Sequence, residues 1–310
     1  MLKKFHFINN KKITLIIVGV VLLVGILSFV IRGFNLDIDF VGGYELTVDL
    51  GETATQKTAD DVTALIRDDK ELGKDFVSKV TYSETNIKVE SKNAMTAGQQ
   101  EHLVEKLCEK YPNASTEVQV TNISPVIGTK TMTTALITVA VAAILMLVYI
   151  AFRFELASGV ASVVCLLHDL FVMLVVYSLL QIPISSSVIA AFLTILGYSI
   201  NATIVVFDRI RENRRKDDKS PFGDVVNTSI HETMGRSVNT TITTLLTIGA
   251  VFVACAAAVI IFPTSNLDTL RDFAGTLIVG IVAGLFSSVF LSGMIWNALS
   301  GLGKKANKKN

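Results

Sequence analysis

At 310 residues, 51% hydrophobic and 18% charged, with a mean hydropathy of +0.54, the chain is too apolar for an ordinary soluble protein and reads as a polytopic membrane protein. The net charge of +1 hides an asymmetry, because Asp37 to Gly128 holds seventeen of the 27 acidic residues but only nine of the 28 basic ones. That acidic block gives no sign of a nucleic-acid partner and hints at sidedness across a membrane. Cys108, Cys165 and Cys255 are scattered, two of them in apolar runs, so neither a disulfide framework nor a Cys-rich metal site is supported and packing is their expected role.

The first apolar run, Ile13 to Ile31, follows Lys3, Lys4, Lys11 and Lys12. It is longer than a typical signal-peptide core, and Phe29-Val30-Ile31-Arg32 offers no small-residue cleavage site, so an uncleaved first span is expected. Between Phe34 and Gly128 the pattern turns soluble. Tyr44 to Leu50 alternates as a half-buried strand, Lys57 to Lys70 spaces Ala59, Val62, Leu65 and Ile66 as a helix, and Phe76 to Tyr82 and Asn86 to Glu90 read as two strands joined at Ser83-Glu84-Thr85. Thr96 to Lys110 reads as a second amphipathic helix and Thr116 to Val120 as a last strand. The order β-α-β-β-α-β predicts a ferredoxin-like α+β domain.

Five further runs follow: Ala135 to Phe152, Ala157 to Leu180, Ser187 to Phe207, Ile242 to Phe262 and Phe273 to Leu299. Each approaches or exceeds the roughly 20 residues that cross a bilayer. The N-terminus, the Arg153-Phe154-Glu155 turn, the 208–236 loop and the tail with Lys304, Lys305, Lys308 and Lys309 all carry Lys or Arg, whereas Gln181 to Ser186 and Pro263 to Leu270 carry none. By the positive-inside bias both termini lie in the cytoplasm and the acidic domain lies outside. The expected layout is residues 1–33 for the N-terminus and first span, 34–128 for the extracytoplasmic domain, 129–300 for spans two to six, and 301–310 for a basic tail.

Ionisable residues inside spans are expensive, about 2.5 to 3.5 kcal/mol at a helix centre on insertion scales. Asp169, preceded by His168, lies well inside the third span; it either fixes helix packing by accepting hydrogen bonds or takes and releases protons, with His168 tuning it. A metal or catalytic dyad has little support, since adjacent helical residues diverge by about 100° and no further His lies in a span. No cofactor site and no enzymatic constellation is expected. Arg236 opens the fifth span and is followed by Asn239, Thr240, Thr243 and Thr247, so it either snorkels or heads the polar lining of a cavity. Asp208 and Arg209, at the exit of the fourth span, read as a solvated local ion pair, and Arg211, Arg214, Arg215, Lys216 and Lys219 as an orientation signal able to touch anionic lipid. On the fourth span Gly197, Asn201 and Asp208 share one face, which should meet other helices or water. His168, Asn201 and Arg236 are expected to share one hydrophilic seam facing a sister subunit.

The wording of several stretches resembles a known family. Gly197-Tyr198-Ser199-Ile200-Asn201-Ala202-Thr203 with Val205-Val206-Phe207-Asp208-Arg209-Ile210-Arg211-Glu212-Asn213 looks like the fourth membrane helix of the SecF branch of the SecD–SecF family of bacterial protein export. Leu36-Asp37-Ile38-Asp39-Phe40-Val41-Gly42-Gly43 resembles that family's entry to the external domain, with Asp37 where Gly is usual, and Ile123-Ser124-Pro125-Val126-Ile127-Gly128 is similar to its exit. Phe152-Arg153-Phe154-Glu155, Leu167-His168-Asp169, Gly235-Arg236-Ser237-Val238-Asn239-Thr240-Thr241 and Leu270-Arg271-Asp272-Phe273-Ala274 match further signatures. The resemblance implies a partner of SecD that assists the Sec channel and uses the proton gradient to help move exported polypeptide on the outer side of the cell membrane. It also implies a departure. In most relatives Asp follows the Asn matched by Asn201 and works with the Arg matched by Arg236 in proton conduction, whereas this chain has Ala202. Asp169 or an acid on the SecD partner is then the candidate titrating site; Na⁺ held by Asn201, Thr203 and carbonyls, or work without proton flux, are the other options. The competing function is half of a small-molecule exporter of the resistance-nodulation-division superfamily, which shares the layout of one span, an external domain and five spans.

Overall fold

A computed structural model of the chain describes residues 6–307 apart from 9, 70, 71, 73–75, 78, 94, 117, 154 and 262–266. Lys3, Lys4, Phe154, residues 263–266 of the last connection, Lys308 and Lys309 thus lie outside the described residues. Six helical stretches are long and apolar enough to cross a membrane. The first is α1 (Lys11–Ile31), and between it and the second stands a domain that opens with a short helix, α2 (Ile38–Val41).

The domain continues β1 (Gly43–Asp49), α3 (Gln56–Arg67), β2 (Lys79–Ser83), β3 (Asn86–Ser91), α4 (Ala97–Lys110) and β4 (Val118–Ile123). Its small sheet is antiparallel throughout in the order β2-β3-β1-β4, with Leu46 opposite Val89 and Val120, and Lys79 opposite Glu90. Period-two alternation puts Leu46, Val48, Ile87 and Val89 on one face, where they are almost fully buried against Val62 and Ile66 of α3 and Leu103 and Leu107 of α4. Both helices start at capping boxes: Thr55 with Thr58, and Thr96 with Gln99. Sequence periodicity therefore placed these elements to within a few residues. The β2 strand starts at Lys79 rather than Phe76, whose ring is buried in the core, and β4 sits at 118–123 rather than 116–120.

The remaining spans are α5 (Pro125–Arg153), α6 (Leu156–Leu180), α7 (Ser186–Lys216), α8 (Phe222–Ile261), and a last run made of α9 (Asp268–Phe286), a π-helical turn (Ser287–Leu291) and α10 (Ser292–Asn307). The expected 208–236 loop is corrected. Helix α7 continues to Lys216 and α8 begins at Phe222, so most of that segment is helical and five residues make the turn. The reason is charge pairing at helical spacing: Glu212 accepts from Arg209 and Lys216, and Arg209 reaches Glu232 on α8 at 2.6 Å. Asp208 pairs with Arg211 one turn on rather than with Arg209, because neighbouring helical residues diverge by about 100°.

The two motifs that bound the domain meet each other. Gly42, at φ +78°, turns the chain out of α2, and a Cβ there would lie 2.7 Å from the Pro125 nitrogen; one on Gly128 would lie 2.6 Å from the Gly42 nitrogen. Only glycine allows the entry and the head of α5 to cross this closely. The linker before α2 is also tied to the turn between α6 and α7. Asp37 N–H donates to the Ile184 carbonyl at 3.0 Å, Ile184 N–H to the Asn35 carbonyl at 2.8 Å, and Ser186 N–H to the Asp39 carboxylate at 3.2 Å. Burial pushes the Asp37 carboxyl above its ordinary range, opposed by the hydrogen bond it accepts from Ile38 N–H. We expect Gly128→Ala to lower stability by about 1–3 kcal/mol through overpacking, whereas Gly98→Ala in α4, where a Cβ meets nothing within 4 Å, leaves it unchanged or raises it by up to about 1 kcal/mol through helix propensity. Unfolding in mixed detergent micelles measures both, and equal stabilities would show that the crossing is slack.

Candidate functional site

Asp169 sits near the middle of α6 and is 1% exposed. A carboxylate so placed must collect hydrogen bonds, and three side chains reach it. Ser199 of α7 donates its hydroxyl to Oδ2 at 2.5 Å, and Ser287, the first residue of the π turn, donates to the same oxygen at 2.8 Å. The His168 Nδ1 stands 3.1 Å from Oδ1, its ring stacked on Phe286 at 5.7 Å between centroids. One side chain thus joins the third, fourth and sixth spans.

Local sequence explains the room for this cluster. Gly284, one turn before Ser287, has its Cα close enough that an added Cβ would lie 3.4 Å from Ser199 Cβ and 3.7 Å from Asp169 Oδ2. Ser287 opens the π turn, its N–H still bonded to the Ala283 carbonyl of α9, and π turns recur at functional sites. Its carbonyl accepts from the buried Cys165 thiol at 3.7 Å, so that cysteine packs as expected. One turn beyond Ser199, Thr203 is 2% exposed, and its hydroxyl is the one buried side-chain polar atom among the described residues with no hydrogen-bond partner.

The single seam expected from the sequence is corrected: the structure divides its residues between two places. Asn201, Ala202, Arg236 and Thr240 line a separate hollow of about 70 Å³ between α7 and α8, shared with Tyr198 and Ser237. Ser199 and Asn201 are two residues apart, about 200° around the helix, so one reaches the buried cluster and the other faces away from it. Gly197, Asn201 and Asp208 are all exposed, as is Arg236, so the polar face of α7 is open in the single chain. Asn239 is exposed too; its carbonyl accepts the Thr243 hydroxyl at 3.0 Å. Sequence reasoning found Asp169 and His168 but missed the roles of Ser199 and Ser287, although Ser199 lies within the quoted fourth-span motif.

Residues 103–301 match the family described as Protein export membrane protein SecD/SecF, C-terminal. The chain is 32% identical over 301 residues to the protein translocase subunit SecF of Alicyclobacillus acidocaldarius, covering 96% of this chain and 94% of that one. It is 38% identical over 278 residues to the SecF subunit of Sebaldella termitidis, covering 87% and 84%. The crystal structure of SecDF, a translocon-associated membrane protein from Thermus thermophilus, superposes with a TM-score of 0.73 at 30% identity over 96% of this chain, which spans 39% of that longer one. The chain therefore belongs to the SecD/SecF family of protein export membrane proteins, on its SecF branch.

Removing either hydroxyl from the buried cluster leaves the carboxylate a donor short. We expect Ser199→Ala and Ser287→Ala each to cost about 1–3 kcal/mol. Ser292→Ala should cost less, because that hydroxyl bonds only back to the Ser288 carbonyl of its own helix. Micellar unfolding of the three variants is the check; equal costs would mean that Asp169 does not depend on these donors.

Proposed function

We propose that this SecF-type chain, an accessory subunit of the protein translocase, works beside a SecD-type subunit and the Sec channel, and couples proton movement at Asp169 to motion of its external domain during polypeptide export. The observation that carries the coupling is the 1% exposed carboxylate held by two serine donors, from α7 and the π turn, with the His168 ring nitrogen at its other oxygen. The proposed layout is the one read from the sequence, with domain 34–128 outside, termini inside, and spans two to six in 129–300. The basic residues at the end of α7, Arg209, Arg211, Arg214, Arg215 and Lys216, support that orientation, and the strand order β2-β3-β1-β4 with α3 and α4 on one face supports a ferredoxin-like domain. Family membership favours this reading over a small-molecule exporter half.

The coupling follows from hydrogen-bond arithmetic. As an anion, Asp169 only accepts; once protonated it must donate from one oxygen, so a serine hydroxyl or the His168 ring has to turn away or reverse. The helices it joins, α6 and α7, both end at the 181–186 turn, and that turn is bonded to the 35–39 linker of the external domain. A small rearrangement at Asp169 is thereby passed along two packed helices to the base of the domain. One charge moved across 100 mV is worth about 2.3 kcal/mol, comparable to the cost of a mid-membrane carboxylate on insertion scales, so one proton suffices to bias two packings. Arg236, Asn201, Asn239 and Thr240 form a second proposed polar path, without the acid at Ala202 that the family usually supplies.

Asp169→Asn preserves shape and removes the charge. In cells, or in vesicles containing the complex, export should lose its stimulation by the proton gradient while the SecD-type partner still co-purifies. Ala202→Asp, which sets a carboxylate in the hollow with Arg236, should raise gradient-dependent export. Export that keeps its full response to the gradient in Asp169→Asn would remove Asp169 from the mechanism.

A further inference from the structure

Helix α5 is fixed at its head by the glycine crossing but buries little surface along its length. Beside it lies a cavity of about 310 Å³ whose walls are apolar throughout. Met132, Ala135, Leu136 and Val139, at i, i+3, i+4 and i+7 of α5, line it together with Leu170 and Leu174 of α6. The 35–39 linker and the turn between α6 and α7 border the same space through Leu36 and Ile184, which form a β-bridge. An apolar space stays dry, and left empty it denies its walls their packing contacts. One turn of an α-helix, about 10 Å across and about 5.4 Å high, already exceeds its volume, whereas a single hydrocarbon chain fits.

A second hollow, of about 460 Å³, adjoins the first, since Phe40, Ala135 and Ile189 line both. Its character is different. Lys130, Thr131, Thr134 and Thr138 form a polar strip on α5, and Ser186 stands at the head of α7. The apolar run of α5 begins at Ala135, which puts Lys130 at headgroup height and Val139 at acyl-chain depth. Charge at this rim has both signs. Lys130 brings a positive one, and Asp39, next to Phe40 in the linker, brings a negative one whose carboxylate accepts from Ser186 N–H at 3.2 Å.

We propose that the paired hollows bind one zwitterionic phospholipid of the leaflet next to the sheet domain. One acyl chain fills the apolar cavity, the phosphate lies at Lys130, and the headgroup ammonium turns toward Asp39. A ligand that is apolar at one end and carries both charges at the other matches the two compartments in their order of depth. The bound chain supplies the packing that α5 lacks along α6 and α7. It also touches the linker that carries the sheet domain, so lipid becomes part of the seat on which that domain stands.

The full-length chain is placed in phosphatidylglycerol nanodiscs and titrated with phosphatidylethanolamine that carries a diazirine near the end of one acyl chain. Light-induced adducts are mapped by mass spectrometry. Adducts at Met132, Leu170 and Leu174 should saturate at a low mole fraction, whereas those at Ile144 and Leu145, exposed further along α5, rise in proportion to it. Because the surrounding lipid is anionic, such saturation itself shows selection for a headgroup of both signs. Ala135→Phe, which fills the cavity, should abolish the saturable fraction, and Lys130→Gln, at an exposed position, should raise the half-saturating mole fraction about fivefold. Proportional labelling at every position, or labelling indifferent to both variants, overturns the inference. Loss of the adducts when a SecD-type subunit binds would give the groove to that subunit and overturn the lipid assignment.

Discussion

A carboxylate buried in hydrocarbon has to be either neutral or fully hydrogen-bonded, and the bundle is arranged around that requirement at Asp169. Ser199 and Ser287 come from α7 and the last span, which meet α6 at this carboxylate, and a buried hydrogen bond between Tyr177 and Thr276 ties α6 to the last span a second time. Burial of this kind is weak evidence for stability, because an apolar substitute of the same volume would often pack as well. Under the proposed function its use is that the contact has two states, since a proton changes what the oxygen can accept.

That carboxylate is connected to the sheet domain through short, well-bonded segments. The 35–39 linker pairs with the turn between α6 and α7, and the glycine crossing of Gly42 with Gly128 fixes the head of α5 against α2. Helix α5 itself buries little of its surface within the chain, and the polar face of α7 with Asn201 and Arg236 is open. Under the proposed function a SecD-type subunit covers that open face and supplies the acid that Ala202 lacks.

Much of this was legible in the sequence, for identifiable physical reasons. The alternation of β1 and the helical spacing of apolar residues in α3 and α4 are local signals, and the six spans follow from length and apolarity. Asp169 stood out because charge in an apolar run is costly. Its partners did not, because serines are common in membrane helices, where they bond back to their own carbonyls as Ser292 does. Ser199 and Ser287 lie 30 and 118 residues from Asp169, and only tertiary packing selects them. Charge density alone suggests a loop at the facing ends of α7 and α8, whereas the i, i+3 and i, i+4 pairing of Arg209, Glu212 and Lys216 keeps α7 helical. Division of the expected seam into two sites came from a two-residue offset on α7, which periodicity alone allows but long-range contacts decide.

The central claim is that the Asp169 carboxyl exchanges a proton and that the spans respond. Infrared difference spectroscopy on the reconstituted complex, stepped between the pH values of the two membrane faces, reads it directly. The account predicts a carboxyl C=O band that appears and disappears with pH, is missing in Asp169→Asn, and is accompanied by amide changes reaching the 181–186 turn. A spectrum with no carboxyl band lost in that variant would contradict it.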